Sequence, residues 1–585
     1  MPKKFTNDEI AEILRAMAAC YEMEGVAFKP AAYERAADAI EALGEDAFAI
    51  LKRDGVKGLI ALRGIGPAIA GHIRSLSEKG DFGEYRSCRA KMPEDTLELI
   101  SIPDLGPKKV KILHERLKIE TVKDLERAAR SGKVSSLPGF GKKSEEKILK
   151  GIALLKQAGE RRILADILPL TRTLERKLEA VPGVRRAVTA GSVRRGQETV
   201  GDLDMVVTTS RPGKAMDAFA GFDEVKAVLE RGDRNLAALL KNDMTCDLLI
   251  VPDEVFGAAL QHFTGSKDHN VIVRKMAGDK GLKLNEYGLW RGTRRLAART
   301  EKDVYRALGL PYIEPELRVA AGEIEAALAG KLPDLIDYGS VRGDLQIQTD
   351  WTDGSASIED MARAAMARGL EYIAVTDHTR TLFMAGGLDE RGLSKQAKEI
   401  DHINAKLKME GADFTILKGA EVNIMKDGKL DISDFALEKL DFVGAAIHSS
   451  FRLTREEQTE RMIRAMKNPH VEAIFHPTGR IIHRRDPYDI DIEKILKAAK
   501  TTGTALEIDA YPTRSDLRDV HVRMAVKAGV RLIIDTDAHH PDHLDYLDYG
   551  VTIARRGWAE KRDVVNTKDA ASLLKWLNTA KTGRR

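Results

Sequence analysis

Cysteine is almost missing from this 585-residue chain: there are three, Cys20, Cys88 and Cys246, far apart and odd in number. That spacing offers no disulfide framework and no CxxC metal knuckle, so a reducing compartment is the expected setting. Net charge is slight too, +4 overall. It neither demands nor excludes nucleic acid, because a large protein can keep a basic groove on a nearly balanced whole. Long apolar runs are absent. The opening MPKKFTNDEI lacks the apolar core of a secretory leader, and no run is long enough to cross a bilayer. A cytoplasmic protein is therefore expected, and without a heptad seam, a monomer. What remains is ordinary globular composition, 43% hydrophobic and 31% charged. At this length three or four folded units are expected.

From Asn7 to Leu43 apolar residues recur at helical spacing, with a turn around Phe28-Lys29-Pro30, and a third helix is expected over Val56 to Leu62. A short motif then appears three times: Leu62-Arg63-Gly64-Ile65-Gly66-Pro67, Ile102-Pro103-Asp104-Leu105-Gly106-Pro107-Lys108-Lys109, and Leu137-Pro138-Gly139-Phe140-Gly141-Lys142-Lys143. Each reads as helix, tight glycine turn, helix. Such a turn and the helix N-terminus after it can aim amide N–H groups at a backbone phosphate. One copy reads equally well as a mere connecting turn. Three copies, with Lys108 and Lys142 beside two of them, point to duplex binding that positions DNA without reading its sequence.

Further on, Gly201-Asp202-Leu203-Asp204-Met205-Val206-Val207 reads as a strand whose alternation puts Asp202 and Asp204 on one face. Two carboxylates so placed can share hard divalent ions, as phosphoryl transfer requires. Gly191-Ser192 and Arg195 precede them suitably for gripping a triphosphate. Asp247, in the strand-like Cys246-Asp247-Leu248-Leu249-Ile250-Val251-Pro252, is a plausible third carboxylate from a neighbouring strand.

Beyond the prolines Pro311, Pro315 and Pro333, short strand-like runs alternate with helices, the rhythm of an α/β barrel. Metal-capable residues gather where several runs end: Asp377-His378, Glu421, His448, His476 and Asp537-Ala538-His539. One such histidine would be unremarkable in a surface loop. The same chemistry at five strand ends points to a metal centre that activates water.

Together GSVRRGQETVGDLDMVV, CDLLIVP, HFTGSKDHNVIVR and GLKLNEYGLW resemble the catalytic region of a family X DNA polymerase, and the whole chain resembles the bacterial and archaeal members with a C-terminal PHP domain. The resemblance implies a multidomain fold: a helical, lyase-like DNA-binding domain (1–88), helix-hairpin-helix fingers (89–160), an α+β nucleotidyltransferase palm (161–255), a thumb that selects the nucleotide (256–318), a linker (319–337), and a PHP α/β barrel (338–585). It implies that Asp202, Asp204 and Asp247 hold two Mg²⁺ or Mn²⁺ ions, and that Gly191, Ser192 and Arg195 contact the triphosphate. Phe263, Gly265 and Asn270 would border the incoming nucleotide and Arg274 the template. Gly64, Gly66, Gly106, Lys108, Gly139, Gly141 and Lys142 would hold gapped or primed duplex DNA. The expected activity is addition of deoxynucleotides to a primer 3′-hydroxyl, in short-gap repair.

Three departures qualify it. His262 stands where relatives commonly carry tyrosine. His72 stands where some relatives have the Schiff-base lysine of an abasic-site lyase, and imidazole offers no primary amine, so lyase chemistry would need another residue such as Lys79. The PHP family opens its barrel with H-x-H, followed by Asp in a turn; here the positions are Gln346 and Gln348, followed by Asp353-Gly354. Asp353, His378, Glu421, His448, His476, Asp537 and His539 remain as ligands for Mn²⁺, Zn²⁺ or mixed divalent ions. A glutamine amide substitutes poorly for imidazole, so two readings stand. The barrel is a 3′–5′ exonuclease with a modified centre, or it is mainly structural and DNA-positioning. A non-catalytic DNA-end scaffold, or a PHP phosphoesterase with a polymerase-like DNA-binding region, is the alternative for the whole chain.

Overall fold

The computed structural model describes residue 5 and residues 7–41, 46–62, 64–102 and 105–584. Leu43, Arg63, Pro103 and Asp104 of the readings above lie outside them. The N-terminal region is helical throughout. Helices Asn7–Glu24 and Lys29–Glu41 pair as their apolar spacing predicts, burying Ile10, Leu14, Met17, Tyr33, Ala36 and Ile40. The helix expected from Val56 begins earlier, at Ala47, and bends at Gly55. A second cluster around Leu99, Val110, Leu113, Leu125 and Ile148 carries the next two hairpins.

The expectation about cysteine is corrected here. Cys20 and Cys88 form a disulfide across 68 residues. Packing of Asn7–Glu24 against Gly83–Arg89 brings the two together, and neither their spacing nor their odd count reveals it. The compartment argument drawn from cysteine therefore loses its basis. Only Cys246 is free, and it is buried.

The palm is a five-stranded sheet in which Val184–Thr189 lies antiparallel to Asp202–Thr209, which lies parallel to Thr245–Val251. Helix Leu164–Glu179 covers it. The thumb follows, with helices Phe256–Thr264 and Lys267–Asp279 and a small antiparallel sheet. The segment 319–337, read as a linker, is packed: Glu323 and Ile336 are fully buried and helix Glu323–Leu328 lies within it. Next come seven parallel strands in sequence order, from Gly343–Ile347 to Leu532–Asp535, with helices between them. A parallel bridge from Ile347 to Ala538 and the bond from Gln348 N to Ala538 O (2.8 Å) join the end of the series to its beginning, so the sheet is a nearly closed barrel.

Candidate active sites

The glycine turns lie on the surface of the helical region. Gly66 and Gly106 open helices Pro67–Lys79 and Pro107–Leu117 with no side-chain cap on either, which leaves the first-turn amides pointing outward. Gly139, Gly141, Lys142 and Lys108 are exposed, and Gly64 and Gly139 have positive φ. His72 lies in a different setting. Its ring stacks on Phe82 at 4.2 Å, its Nδ1 meets the Tyr33 hydroxyl at 2.9 Å, and burial lowers its pKa. Lys79 is exposed two helical turns further along, roughly 10 Å by helix rise.

In the palm, Asp204 and Asp247 are register partners on adjacent parallel strands, and Asp202 is two residues before Asp204. Burial first, then Asp202 and Asp247, raise the Asp204 carboxyl to about 6; burial and Asp202 also raise Asp247. The cluster thus carries a negative charge that Arg195 offsets only in part, which fits divalent cations. The turn above it demands glycine: Gly191 has φ +58, and a Cβ there would sit 2.1 Å from Asp204 Oδ2. The short helix Gly191–Arg194 is tied to the acidic strand by Ala190 N to Asp204 O at 2.7 Å. Arg195 extends its Nη1 to the carbonyl of Thr264, and its buried Nε has no partner among the described residues. A half-paired guanidinium thus lies beside the carboxylate cluster.

Thumb residues come to the same cleft. Gly265 lies against Arg195, with a Cβ position 3.1 Å from Arg195 Nη1. Asn270 is braced rather than free: its Oδ1 accepts from Gln261 Nε2 at 2.8 Å and its Nδ2 donates to the His262 carbonyl at 2.7 Å. Arg274 is exposed, with Nη2 2.7 Å from His262 Nδ1, so the histidine that departs from tyrosine holds the predicted template contact. Phe263 packs against the thumb core beside the His262 ring.

In the barrel, Glu421 is the hub. Its carboxylate lies 3.0 Å from His378 Nδ1, 3.1 Å from His448 Nε2 and 2.9 Å from His476 Nε2, and it accepts from Gln348 Nε2 at 2.9 Å. Asp353, His378 and His539 form one group able to surround a cation; His378, Glu421 and His448 form another. Burial opposes a charge on His378, but Glu421 and Asp353 hold its pKa up, to about 10. That proton occupies a field suited to a metal ion. His476 and Asp537 sit at positive φ, 30 and 49, a region few non-glycine residues enter. At the H-x-H positions the fit fails. Gln346 is fully buried with neither amide atom paired, and Gln348 Oε1 is also unpaired. Asp377, grouped above with His378, is no ligand either. It is taken up by Thr349, Thr352 and Gln396.

Comparison with known proteins agrees with these parts. The chain matches a helix-hairpin-helix domain over 5–82, a SAM-like helix-hairpin-helix tandem over 96–153, the DNA polymerase beta thumb over 259–319 and the PHP domain over 344–510. It is 37% identical to the DNA polymerase/3′-5′ exonuclease PolX of Bacillus subtilis (strain 168) over 575 residues, 97% of this chain and 99% of that one. The chain belongs to the PolX family of family X DNA polymerases. A probable phosphatase of Thermoanaerobacter sp. (strain X514) is 32% identical over 236 residues, 39% of this chain and 89% of the relative. DNA polymerase lambda of Rattus norvegicus is 25% identical over 343 residues, 53% and 56% respectively. Membership in the PolX family implies DNA and deoxynucleoside triphosphates as substrates, with divalent metal in the chemistry. No helix among the described residues is long and apolar enough to cross a membrane.

Several residues of this PolX-family chain escaped sequence reasoning because their partners are remote. Arg194 pairs with Glu301 at 2.6 Å and bonds Thr264 Oγ1 at 2.6 Å, while fully buried Arg318 also reaches Glu301, at 2.6 Å. Burial would raise the Glu301 carboxyl, but Arg318 and Arg194 prevail and hold it down to about 2. This triad latches the glycine–serine turn to the thumb. In the barrel, Arg514 Nε lies 3.5 Å from Asp509 and 3.8 Å from Asp537. Only the adjacency of two arginines in the GSVRRG stretch hinted that one of them was structural.

Proposed function

We propose that this chain is a template-directed DNA polymerase that fills short gaps during DNA repair, acting as a monomer in the cytoplasm. The observation that carries this reading is the conjunction in the palm: Asp202, Asp204 and Asp247 on neighbouring parallel strands, under a glycine turn, beside a half-paired Arg195. Those three aspartates would hold two Mg²⁺ or Mn²⁺ ions, which when bound lower the pKa of a primer 3′-hydroxyl and take up charge on the triphosphate. Gly191, Ser192 and Arg195 bind the triphosphate, the Arg195 guanidinium lying beside the aspartate cluster. Phe263, Gly265 and Asn270 border the nucleotide and Arg274 the template. Gly64, Gly66, Gly106, Lys108, Gly139, Gly141 and Lys142 grip duplex on both sides of the gap. The first hairpin keeps a phosphate-binding role through the amides after Gly66, and His72 offers no amine for Schiff-base chemistry.

The two three-donor groups favour a second activity, metal-dependent cleavage of a 3′-terminal phosphodiester by the barrel. Asp353, His378, Glu421, His448, His476, Asp537 and His539 would hold Mn²⁺, Zn²⁺ or a mixed set, short of one site at Gln346 and Gln348. One substrate tests both activities: a 5′-labelled primer in a one-nucleotide gap, with Mn²⁺. With nucleotides the primer is expected to grow by one; no growth would remove the polymerase reading. Without nucleotides it is expected to shorten slowly from the 3′ end, and Asp537→Ala stops this while Asp204→Ala does not. A primer that stays full length would leave the barrel catalytically silent.

A further inference from the structure

The triphosphate turn is not held by the palm and thumb alone. Just after it, four consecutive residues rest on the barrel. Arg556, closing helix Leu547–Arg556, donates from Nη1 to the Arg195 carbonyl at 3.0 Å, and its other Nη pairs with Asp519. Gly196 is pressed so closely that a Cβ there would meet Thr552 Cγ2 at 2.2 Å, and its φ of +61 suits glycine. With its amide oxygen turned to Arg556, Gln197 accepts from the two Nη atoms at 2.7 and 3.3 Å. Glu198 binds buried Arg480 through Nη2 at 2.6 Å, and Arg480 Nε donates to the Arg514 carbonyl at 2.9 Å. Within the palm the turn closes on itself, with Arg195 N to Gly191 O at 3.3 Å and Gln197 N to Ser192 O at 3.0 Å. Any displacement of residues 195–198 is therefore passed to Ser192 and to the Arg195 guanidinium.

Mere adhesion between two domains could be placed anywhere on their surfaces. Buried Arg555 does join the barrel to Glu316, but Arg480 and Arg556 both fall on one loop, and Arg556 on the backbone of the residue whose side chain faces Asp204. We infer that Arg480 and Arg556 of the barrel are positioning residues for nucleotidyl transfer, holding residues 195–198 so that Ser192 and Arg195 meet the incoming triphosphate. The inference rests on reading Ser192 and Arg195 as triphosphate contacts. It gives the barrel a polymerase role that survives the loss of its H-x-H histidines.

The test is steady-state filling of a one-nucleotide gap by the full chain, comparing Arg480→Ala, Arg556→Ala and Glu198→Gln. Glu198→Gln matters most, since it leaves every barrel side chain in place and so separates positioning from barrel folding. KM for the nucleotide is expected to rise roughly 5- to 20-fold in each, with kcat within about threefold and affinity for gapped DNA unchanged. Exchanging the pair, Glu198→Arg with Arg480→Glu, is expected to recover part of the loss that either exchange alone causes. An unmoved nucleotide KM in Glu198→Gln and Arg556→Ala, both extending normally, would overturn the inference. An unaltered chain that does not extend at all would instead remove the polymerase reading beneath it.

Discussion

Gly191→Ala is expected to abolish nucleotide incorporation almost as completely as Asp204→Ala, by on the order of 10³-fold or more, with binding of gapped DNA retained. The reason is steric and local. The added Cβ would lie 2.1 Å from Asp204 Oδ2 and 3.1 Å from its Cγ, at a backbone φ of +58. The turn cannot simply lift away, because Ala190 is bonded to the Asp204 carbonyl at 2.7 Å and Arg194 is latched to Glu301. The Asp204 carboxylate has to rotate out of the cluster. Single-turnover extension measures this directly: a loss confined to nucleotide affinity, with full rate at saturation, would show that the turn yields instead of the carboxylate.

The same carboxylate makes a stability prediction of opposite sign. Asp204 is raised to about 6 from its ordinary 3.8. The folded chain therefore holds that proton more tightly than the unfolded chain does. This contribution to stability is complete below about pH 4 and is lost as pH rises through 6. In EDTA at pH 8, Asp204→Asn is expected to stabilise the chain by ~1–3 kcal/mol, with no gain at pH 4. Equal effects at both pH values, followed by thermal unfolding, would refute the charge argument.

What the sequence revealed was whatever repeats or alternates locally. Asp202 and Asp204 share a face by strand period, and the hairpins announce themselves as glycine pairs. The barrel's metal-capable residues sit one after another at strand ends. What it concealed depends on partners chosen by the fold. Cys20 meets Cys88 only because two helices pack, and Arg194 meets Glu301 across 107 residues. Arg480 and Arg556 look like ordinary surface charges until the palm loop is laid on them. Asp377 shows the converse error: its place beside His378 suggests a ligand, but two threonines and a glutamine take its oxygens.

The barrel's glutamines give the other large effect. Gln346→His combined with Gln348→His is expected to add one Mn²⁺ or Zn²⁺ per chain over the unaltered protein and to speed 3′-end shortening roughly 10- to 100-fold. Gln346 is fully buried with both amide atoms unpaired, and Gln348 spends its Nε2 on Glu421 while leaving Oε1 unpaired. Gln346 is committed to no network that a histidine would have to break, and Gln348 gives up a single bond, to Glu421. Imidazole of similar size would restore two neutral nitrogen donors, the one at position 348 beside Glu421, where His448 and His476 already converge. Native mass spectrometry counts the ions, and the labelled primer counts the cuts. A rise in metal without faster shortening would assign the missing rate to DNA placement at the barrel mouth. An unchanged metal count would mean that the Arg514 guanidinium, set against Asp509 and Asp537, already supplies the positive charge that a further ion would bring.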